Sequence, residues 1–292
     1  MNTIQYVTVA GGGVLGSQIA FQSAVKGKDV TIWLREPSSI TRTQPKLDKL
    51  LKDYTDTLNS GMEAPGLAGV SLEDIKSAPE RIHIELDMEK ALSKAQILIE
   101  AISENAELKR VFFDKARPFI REDIIVATNS STLLPSDFVK DVPYPKNLLA
   151  LHFANHIWIN NLAEVMAQPQ TSPEVFEDTL EFARSIGMDP VAVRKEKSGY
   201  LLNSMLVPFL MAAQDLLVTG TADVKDIDLA WTKGTGAPIG PFRMLDIIGA
   251  QTALNIVKPL TAIPDAAAPF HYKEMAEMLQ KMVDNNEKFY NN

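Results

Sequence analysis

Residues 4–26 read IQYVTVAGGGVLGSQIAFQSAVK, and the order of side chains in this stretch decides the architecture. A run rich in β-branched residues (4–10) predicts a strand, the three glycines a tight turn, and the spacing of 14–26 a helix. Gly11-Gly12-Gly13-Val14-Leu15-Gly16 satisfies the pattern G-x-G-x-x-G. Alone that pattern is weak; after a strand and at the head of a helix it is a strong sign of a bound dinucleotide. Gly11 permits the turn, Gly13 lets a pyrophosphate approach the backbone, and Gly16 lets the helix pack close to its strand. The N–H groups of the first helical turn, at Val14 and Leu15, then face the phosphates. The bland alternative is a glycine-rich turn that holds nothing.

The second strand, DVTIWL (29–34), tests the cofactor further. An acid at its end would hold the adenine ribose hydroxyls. Asp29 stands at the beginning of that strand, the wrong end. Leu34 and Arg35 occupy the expected place, with Glu36 just after. A planar guanidinium there suits a 2′-phosphate, so the expectation leans to NADP. The alternatives are an Arg35 that stacks on adenine or faces solvent, and NAD held through Glu36 or backbone groups.

Working outward, short strands alternate with helical patterns: RIHIE (81–85), QILIEAI (96–102), DIIVATN (123–129), NLLALHFA (147–154), LAEVMAQ (162–168) and DPVAVR (189–194). Such alternation predicts an α/β domain, Rossmann-like, with a largely parallel sheet and helices on both faces. A charged helical excursion leaves this pattern at about 45–78. After Lys195 no β-branched run recurs, and 198–219, 223–233, 240–258 and 268–285 read as helices. The expected organisation is therefore a dinucleotide-binding domain over 1–195 and a smaller all-helical domain over 196–292.

Composition narrows the function. An apolar share of 46% with 23% charge is that of an ordinary globular chain, so disorder is excluded. The absence of cysteine excludes a disulfide framework, a thiolate zinc site and a cysteine nucleophile, and suits a reducing cytoplasm. Net charge is −8 and no basic block offsets it, so no nucleic-acid partner is expected. The N-terminus has no basic region before its apolar run, unlike a secretory signal. The most apolar segment, 200–218, contains Asn203, Pro208, Gln214 and Asp215, which argues for a buried or interface helix and against a membrane span.

Several motifs in order resemble the L-3-hydroxyacyl-CoA dehydrogenases along nearly the full chain. IEAISENAELKRVFF (99–113) looks like the segment that passes over the nicotinamide ribose, with Glu104 and Lys109 at the matching positions. TNSST (128–132) is similar to a Ser-Asn-Thr-Ser-Ser turn, which implies Asn129 near that ribose and Ser131 near the substrate. HFANH resembles His-Phe-Phe-Asn-Pro, and AEV the segment carrying an acid, here Glu164. GYLLNSML (199–206) matches Gly-Phe-x-x-Asn-Arg-Leu-Leu, and GAPIGPFRMLDIIG (236–249) the Gly-Pro-Phe-x-Leu-x-Asp segment. The resemblance implies hydride transfer between NAD(P) and a 3-hydroxy or 3-oxo carbon, and a homodimer paired through the helical domain.

Imidazole titrates near neutral pH and can serve as base in oxidation and acid in reduction. His152, at the end of a strand facing the cofactor crevice, is the candidate. In the resemblance Glu164 fixes its tautomer, while Ser131 and Asn203 supply a hydroxyl and an amide to the substrate oxygen. Each has a plainer role open to it: a hydrogen-bonded core histidine, a surface acid, a turn hydroxyl, an interhelix amide, and for Glu104 and Lys109 an exposed helix pair. His152 and His156 are not expected to share a metal, because four residues of strand span about 13 Å.

The substrate side departs from the pattern. Ala154 stands for a phenylalanine, His156 for proline, Ser204 for arginine and Arg243 for an acid, and the tail is reduced to NNEKFYNN. Trp158 either lines a pocket or fills the space left by Ala154. The first expectation is a short-chain 3-hydroxyacyl-CoA substrate; the resemblance implies that the excursion contributes to CoA binding, with Lys46, Lys49 and Lys52 either candidates for its phosphates or simply solvated. The second is a free hydroxy acid without CoA. The third is a nucleotide-binding protein that has lost catalysis.

Overall fold

Eight short strands build one sheet: β1 (Tyr6–Ala10), β2 (Asp29–Trp33), β3 (Ile82–Glu85), β4 (Ile97–Glu100), β5 (Ile125–Thr128), β6 (Leu148–Phe153), β7 (Leu162–Ala167) and β8 (Asp189–Val193). The computed structural model describes residues 3–290, so the first two residues of the N-terminal segment and the last two of the tail lie outside it. The strand order is β3-β2-β1-β4-β5-β6-β7-β8. Neighbours run parallel throughout except β6 with β7. The first six strands follow the order of a Rossmann dinucleotide-binding sheet. β4, β5 and β6 are buried along their whole length, which is why they read as unbroken apolar runs.

Helices α1 (Val14–Val25), α2 (Ser38–Ser60), α3 (Leu72–Ser77), α4 (Met88–Leu92), α5 (Ala106–Ala116) and α6 (Pro173–Ser185) cover the sheet. On one face Ile97, Ile99, Ile125, Ala127, Leu149 and Leu151 pack with Ile19, Phe21 and Leu180. On the other, Leu98, Val126 and Leu148 pack with Phe112, Phe113 and Phe138. Burying each such side chain stabilises the fold by roughly 1.5–3 kcal/mol.

The excursion begins earlier than expected. α2 starts at Ser38 and carries Pro45 inside it. The apolar spacing that marks the excursion becomes regular only after Pro45; the preceding turn is helical too, with the Thr43 hydroxyl donating to Ser39 O at 2.8 Å. A buried glutamine then fastens the excursion. Gln22 of α1 accepts from Tyr54 Oη at 2.9 Å and donates to Gly66 O and Ile186 O at 2.9 and 2.7 Å. Trp158 is buried, stacks near Tyr54 at 4.6 Å and donates to Thr57 Oγ1 at 3.2 Å. Trp158 thus packs against the excursion helix, at Tyr54 and Thr57.

The chain divides into two compact units, Met1–Leu201 and Leu202–Asn292. Residues 196–201 therefore go with the sheet: Glu196 accepts from Ser136 N, Ser198 Oγ donates to Thr132 O, and Tyr200 Oη donates to Ser130 O. The helix expected from 198 starts at Leu202, because Gly199 and Tyr200 take left-handed φ of +81° and +52°.

The second unit comprises α7 (Leu202–Val218), α8 (Val224–Thr235), α9 (Pro241–Ile248), α10 (Ala250–Val257) and α11 (Tyr272–Asn285). Its core is built from Leu210, Phe242, Leu245, Leu254, Met275 and Leu279. The single helix expected over 240–258 is two, broken at Gly249, whose φ of +89° no helix accommodates. The shortened tail is held in place. Asp246 accepts from Phe289 N and Tyr290 N at 2.8 and 3.0 Å, and Asp228 accepts from Tyr290 Oη at 3.0 Å. Arg243 lies over the Tyr290 ring at 3.7 Å. Among the described residues, no helix is long and apolar enough to cross a membrane.

Candidate active site

The glycine loop closes against the neighbouring strand end. Gly11 has φ +115°, and a Cβ there would meet Ala101 O at 2.6 Å. A Cβ on Gly16 would meet Gly11 O at 2.2 Å, so helix and turn touch backbone to backbone. A Cβ on Gly13 would meet nothing within 4 Å, and no side chain caps the helix that Gly13 begins. Val14, the first residue of α1, is 62% exposed, and Leu15 packs partly against the core. An open backbone with uncapped N–H groups fits a pyrophosphate. Arg35 stands two residues past the end of β2, its side chain 71% exposed, while the Glu36 carboxylate lies 3.0 Å from Arg42 and 3.9 Å from Arg35.

At the carboxyl ends of β4, β5 and β6 the side chains turn polar on a single face. Glu100, Thr128 and His152 follow Leu98, Val126 and Ala150 by the two-residue period of a strand. Glu100 is fully buried and accepts from Lys109 Nζ at 2.6 Å, Thr128 Oγ1 at 2.7 Å and Ile102 N at 2.8 Å. Lys109 is 1% exposed and also lies 3.5 Å from Glu104. It is thus a buried bridge between two acids, not half of an exposed helix pair.

Glu104 gathers the turn after β5. Its Oε1 accepts from Ser130 Oγ, Ser131 N, Thr132 N and Thr132 Oγ1 within 3.0 Å. Burial pushes the Glu104 carboxyl up, but these bonds and the Lys109 ammonium outweigh it and hold the group below its ordinary range. Asn129 Oδ1 accepts from Phe153 N at 3.1 Å, joining the turn to the end of β6.

His152 and Glu164 face each other in the β6–β7 register. Nδ1 lies 3.1 Å from Glu164 Oε2, with the two side chains 8% and 1% exposed. Glu164 Oε1 also accepts from Leu201 N at 2.9 Å. The Tyr200 ring stacks on His152 at 4.6 Å with planes 20° apart. Beyond β6, His156 takes φ +57°, its N–H donating to Gln18 of α1 at 2.8 Å and its ring edge-on to Trp158. Proline, with φ near −65°, could not occupy that position, so the departure at His156 is a change of loop course. Asn203 is the second residue of α7, half-buried in the helical unit.

Sequence reasoning missed Glu100, Thr128, Gln18 and Tyr200. The first had a signal: an acid closing an apolar strand, ILIE, has no reason to be there unless it is paired.

A largely parallel sheet with an open glycine turn and a buried imidazole–carboxylate pair near its carboxyl edge is the frame of a nicotinamide-dependent oxidoreductase. The family model for the 3-hydroxyacyl-CoA dehydrogenase NAD binding domain matches residues 6–197, and that for the C-terminal domain residues 199–291. The chain belongs to the 3-hydroxyacyl-CoA dehydrogenase family. It is 30% identical over 288 residues to the human mitochondrial hydroxyacyl-coenzyme A dehydrogenase, covering 97% of this chain and 87% of that one. Among solved structures it is similar to a diketoreductase described in dual catalysis of dicarbonyl compounds, 40% identical with TM-score 0.89 and all of both chains covered. It is also similar to M. tuberculosis FadB2, 26% identical with TM-score 0.83 over the full length of both.

Proposed function

We propose that the protein interconverts a 3-hydroxy and a 3-oxo group, with His152 as acid–base and Glu164 as its partner. The observation that carries this is the buried 3.1 Å contact between Nδ1 and Glu164 Oε2. An ionised carboxylate only accepts, so Nδ1 carries a proton and Nε2 is the atom offered to substrate. In oxidation Nε2 takes the hydroxyl proton and Glu164 stabilises the resulting imidazolium; in reduction the same proton returns to the oxygen. Ser131 is assigned as a hydrogen-bond partner of that oxygen; for Asn203 a substrate contact is what the family resemblance implies. Gly11, Gly13, Gly16 and the N–H groups of Val14 and Leu15 hold the pyrophosphate. Glu104 and Asn129 shape the turn beside the nicotinamide ribose, and Lys109 holds Glu104. When bound, the nicotinamide supplies or accepts the hydride.

NADP is the favoured cofactor. Arg35 follows the second strand where the ribose hydroxyls would otherwise find an acid, and Glu36, the acid available for NAD, already holds Arg42.

The first substrate class is a short 3-hydroxyacyl-CoA, from the family. A dicarbonyl or hydroxy acid without CoA is the second, favoured by two observations. The diketoreductase shares 40% identity over the full chain. Lys49 and Lys52 spend their ammonium groups on Asp53 and Asp56 of their own helix, and Lys46 bonds Arg42 O. The cysteine-free chain suits a cytoplasmic setting, although the human relative is mitochondrial by name.

The test is loss of reduced-cofactor absorbance with acetoacetyl-CoA and with acetoacetate, each with NADH and NADPH. Turnover of acetoacetyl-CoA alone supports the first class and turnover of the free acid the second. No turnover in any arm sinks the first class, weakens the second, and favours a nucleotide-binding protein without catalysis.

A further inference from the structure

A single hydrogen bond at Nδ1 fixes one edge of the His152 imidazole but leaves the ring free to roll about it. The direction of Nε2, the atom that must meet the substrate oxygen, then depends on what lies against the ring's face. That face is covered by Tyr200, fully buried, with centroids 4.6 Å apart and planes 20° from parallel. The Tyr200 hydroxyl donates to Ser130 O at 2.7 Å, in the turn that carries Asn129 and Ser131. The next residue, Leu201, donates its N–H to Glu164 at 2.9 Å. One dipeptide therefore touches both members of the pair, by ring on His152 and by backbone on Glu164.

The backbone explains how. Gly199 and Tyr200 are consecutive left-handed residues, at φ +81° and +52°. That conformation is unfavourable for a tyrosine and persists only where surroundings hold it, which is common at functional sites. Here the turn directs the phenol and the following N–H toward one place. Burial, with the carboxylates of Glu104, Glu164 and Glu100 behind it, pushes the phenol far above its ordinary range, so it remains a donor at any working pH. The family pattern that this segment resembles carries phenylalanine at this position; the hydroxyl and its tether to Ser130 O belong to this chain.

We propose that Tyr200 is the positioning residue of the acid–base pair: its ring sets the plane of the His152 imidazole, and its hydroxyl locks that plane to the serine turn. The inference rests on His152 being the acid–base. The ring acts as a fixed wall, so that Nε2 and the Ser131 hydroxyl keep one geometry through successive turnovers.

The experiment compares Tyr200→Phe and Tyr200→Leu in the full chain, with His152→Ala in parallel. It measures kcat and KM on whichever of acetoacetyl-CoA and acetoacetate the unaltered protein turns over, cofactor Kd by nicotinamide fluorescence, and the thermal midpoint. Tyr200→Phe keeps the ring and removes the tether, and kcat falls about three- to tenfold with KM and cofactor Kd unchanged. Tyr200→Leu removes both, and kcat falls on the order of a hundredfold. An unchanged kcat in Tyr200→Phe overturns the inference, whatever the leucine variant does and even if that variant fails to fold. So does a loss seen only as a lowered thermal midpoint, or a loss carried by KM, since either marks a filler of space. If His152→Ala turns over normally, the acid–base assignment itself fails; if it is dead while both Tyr200 variants are normal, only the positioning role does.

Discussion

His152 and Glu164 stand directly opposite each other across the antiparallel β6–β7 pair, Nδ1 to Oε2 at 3.1 Å, with both side chains buried. Directly paired residues on one sheet face have Cβ atoms about 5 Å apart, so the contact is set by register and needs no loop to assemble it. His152→Ala is expected to lower kcat by about 10²–10⁴-fold with cofactor affinity unchanged. Glu164→Gln keeps the shape but removes the charge that stabilises the imidazolium, and its loss falls in the same range. Stopped-flow turnover with separate cofactor titration checks both; a Glu164→Gln variant with normal kcat would leave the carboxylate without a catalytic part.

Lys109 is expected to matter for stability more than for chemistry. It is 1% exposed and its ammonium lies 2.6 Å from Glu100, itself wholly buried. Lys109→Met fills the space but strands the Glu100 carboxylate without a counter-charge. Breaking a buried pair in this way costs about 3–5 kcal/mol. Urea unfolding should show a lower midpoint at an unchanged slope. The double variant Lys109→Met with Glu100→Gln should recover part of the loss, which separates the stranded charge from simple misfit.

Glu104 makes stability depend on pH on the acid side. Its folded carboxyl lies below the ordinary carboxylate range, because bonds from Ser130 and Thr132 and the Lys109 charge outweigh burial. A group depressed on folding stabilises above its unfolded value, and that contribution disappears as pH falls through the folded one. The thermal midpoint of the unaltered protein should therefore exceed that of Glu104→Gln at pH 7. The gap should narrow as pH drops below roughly 4.3, the ordinary glutamate value. A gap independent of pH would mean that the turn is held by shape and not by the carboxylate charge.

Cofactor choice is the prediction that Arg35 carries. Its guanidinium is exposed, and Glu36 is engaged by Arg42. Arg35→Ala should raise the Kd for NADPH about tenfold or more, the scale of a charge-assisted contact, and leave NADH little changed. Equal NADPH affinity before and after would remove Arg35 from the site.

What was legible in the sequence was what local physics dictates. The strand–glycine–helix at 4–26 stands as read, because a β-branched run, a positive-φ Gly11 and a Gly16 packed on Gly11 O are constraints local to that stretch. The pairing of His152 with Glu164 was visible only through family motifs, since a twelve-residue separation does not announce a strand register. Glu100, Gln18 and Tyr200 were hidden for a related reason: each makes a decisive contact in another element, at Thr128, at His156 and at Ser130. The helix boundaries at 202 and 249 were misplaced where a positive-φ backbone overrode the pattern around it. Left-handed Tyr200 delays α7, and the excursion read from about 45 begins at Ser38.

The helical unit leaves large apolar side chains in solvent. Met205 is 67% exposed, Leu229 54% and Ile247 75%, with Leu216 and Ile256 near 40%. Scattered exposed leucines are ordinary, but five large apolar side chains left exposed in one small helical unit suit a unit that pairs with a partner. The family resemblance pairs copies through this unit, and our expectation is a homodimer. Light scattering at micromolar concentration should give twice the 32.2 kDa chain mass. An Ile247→Asp, Met205→Asp double variant should shift it to the monomer, because charges buried at an interface cost several kcal/mol each. If the unaltered protein scatters as a monomer, the exposed residues must be explained without a second copy.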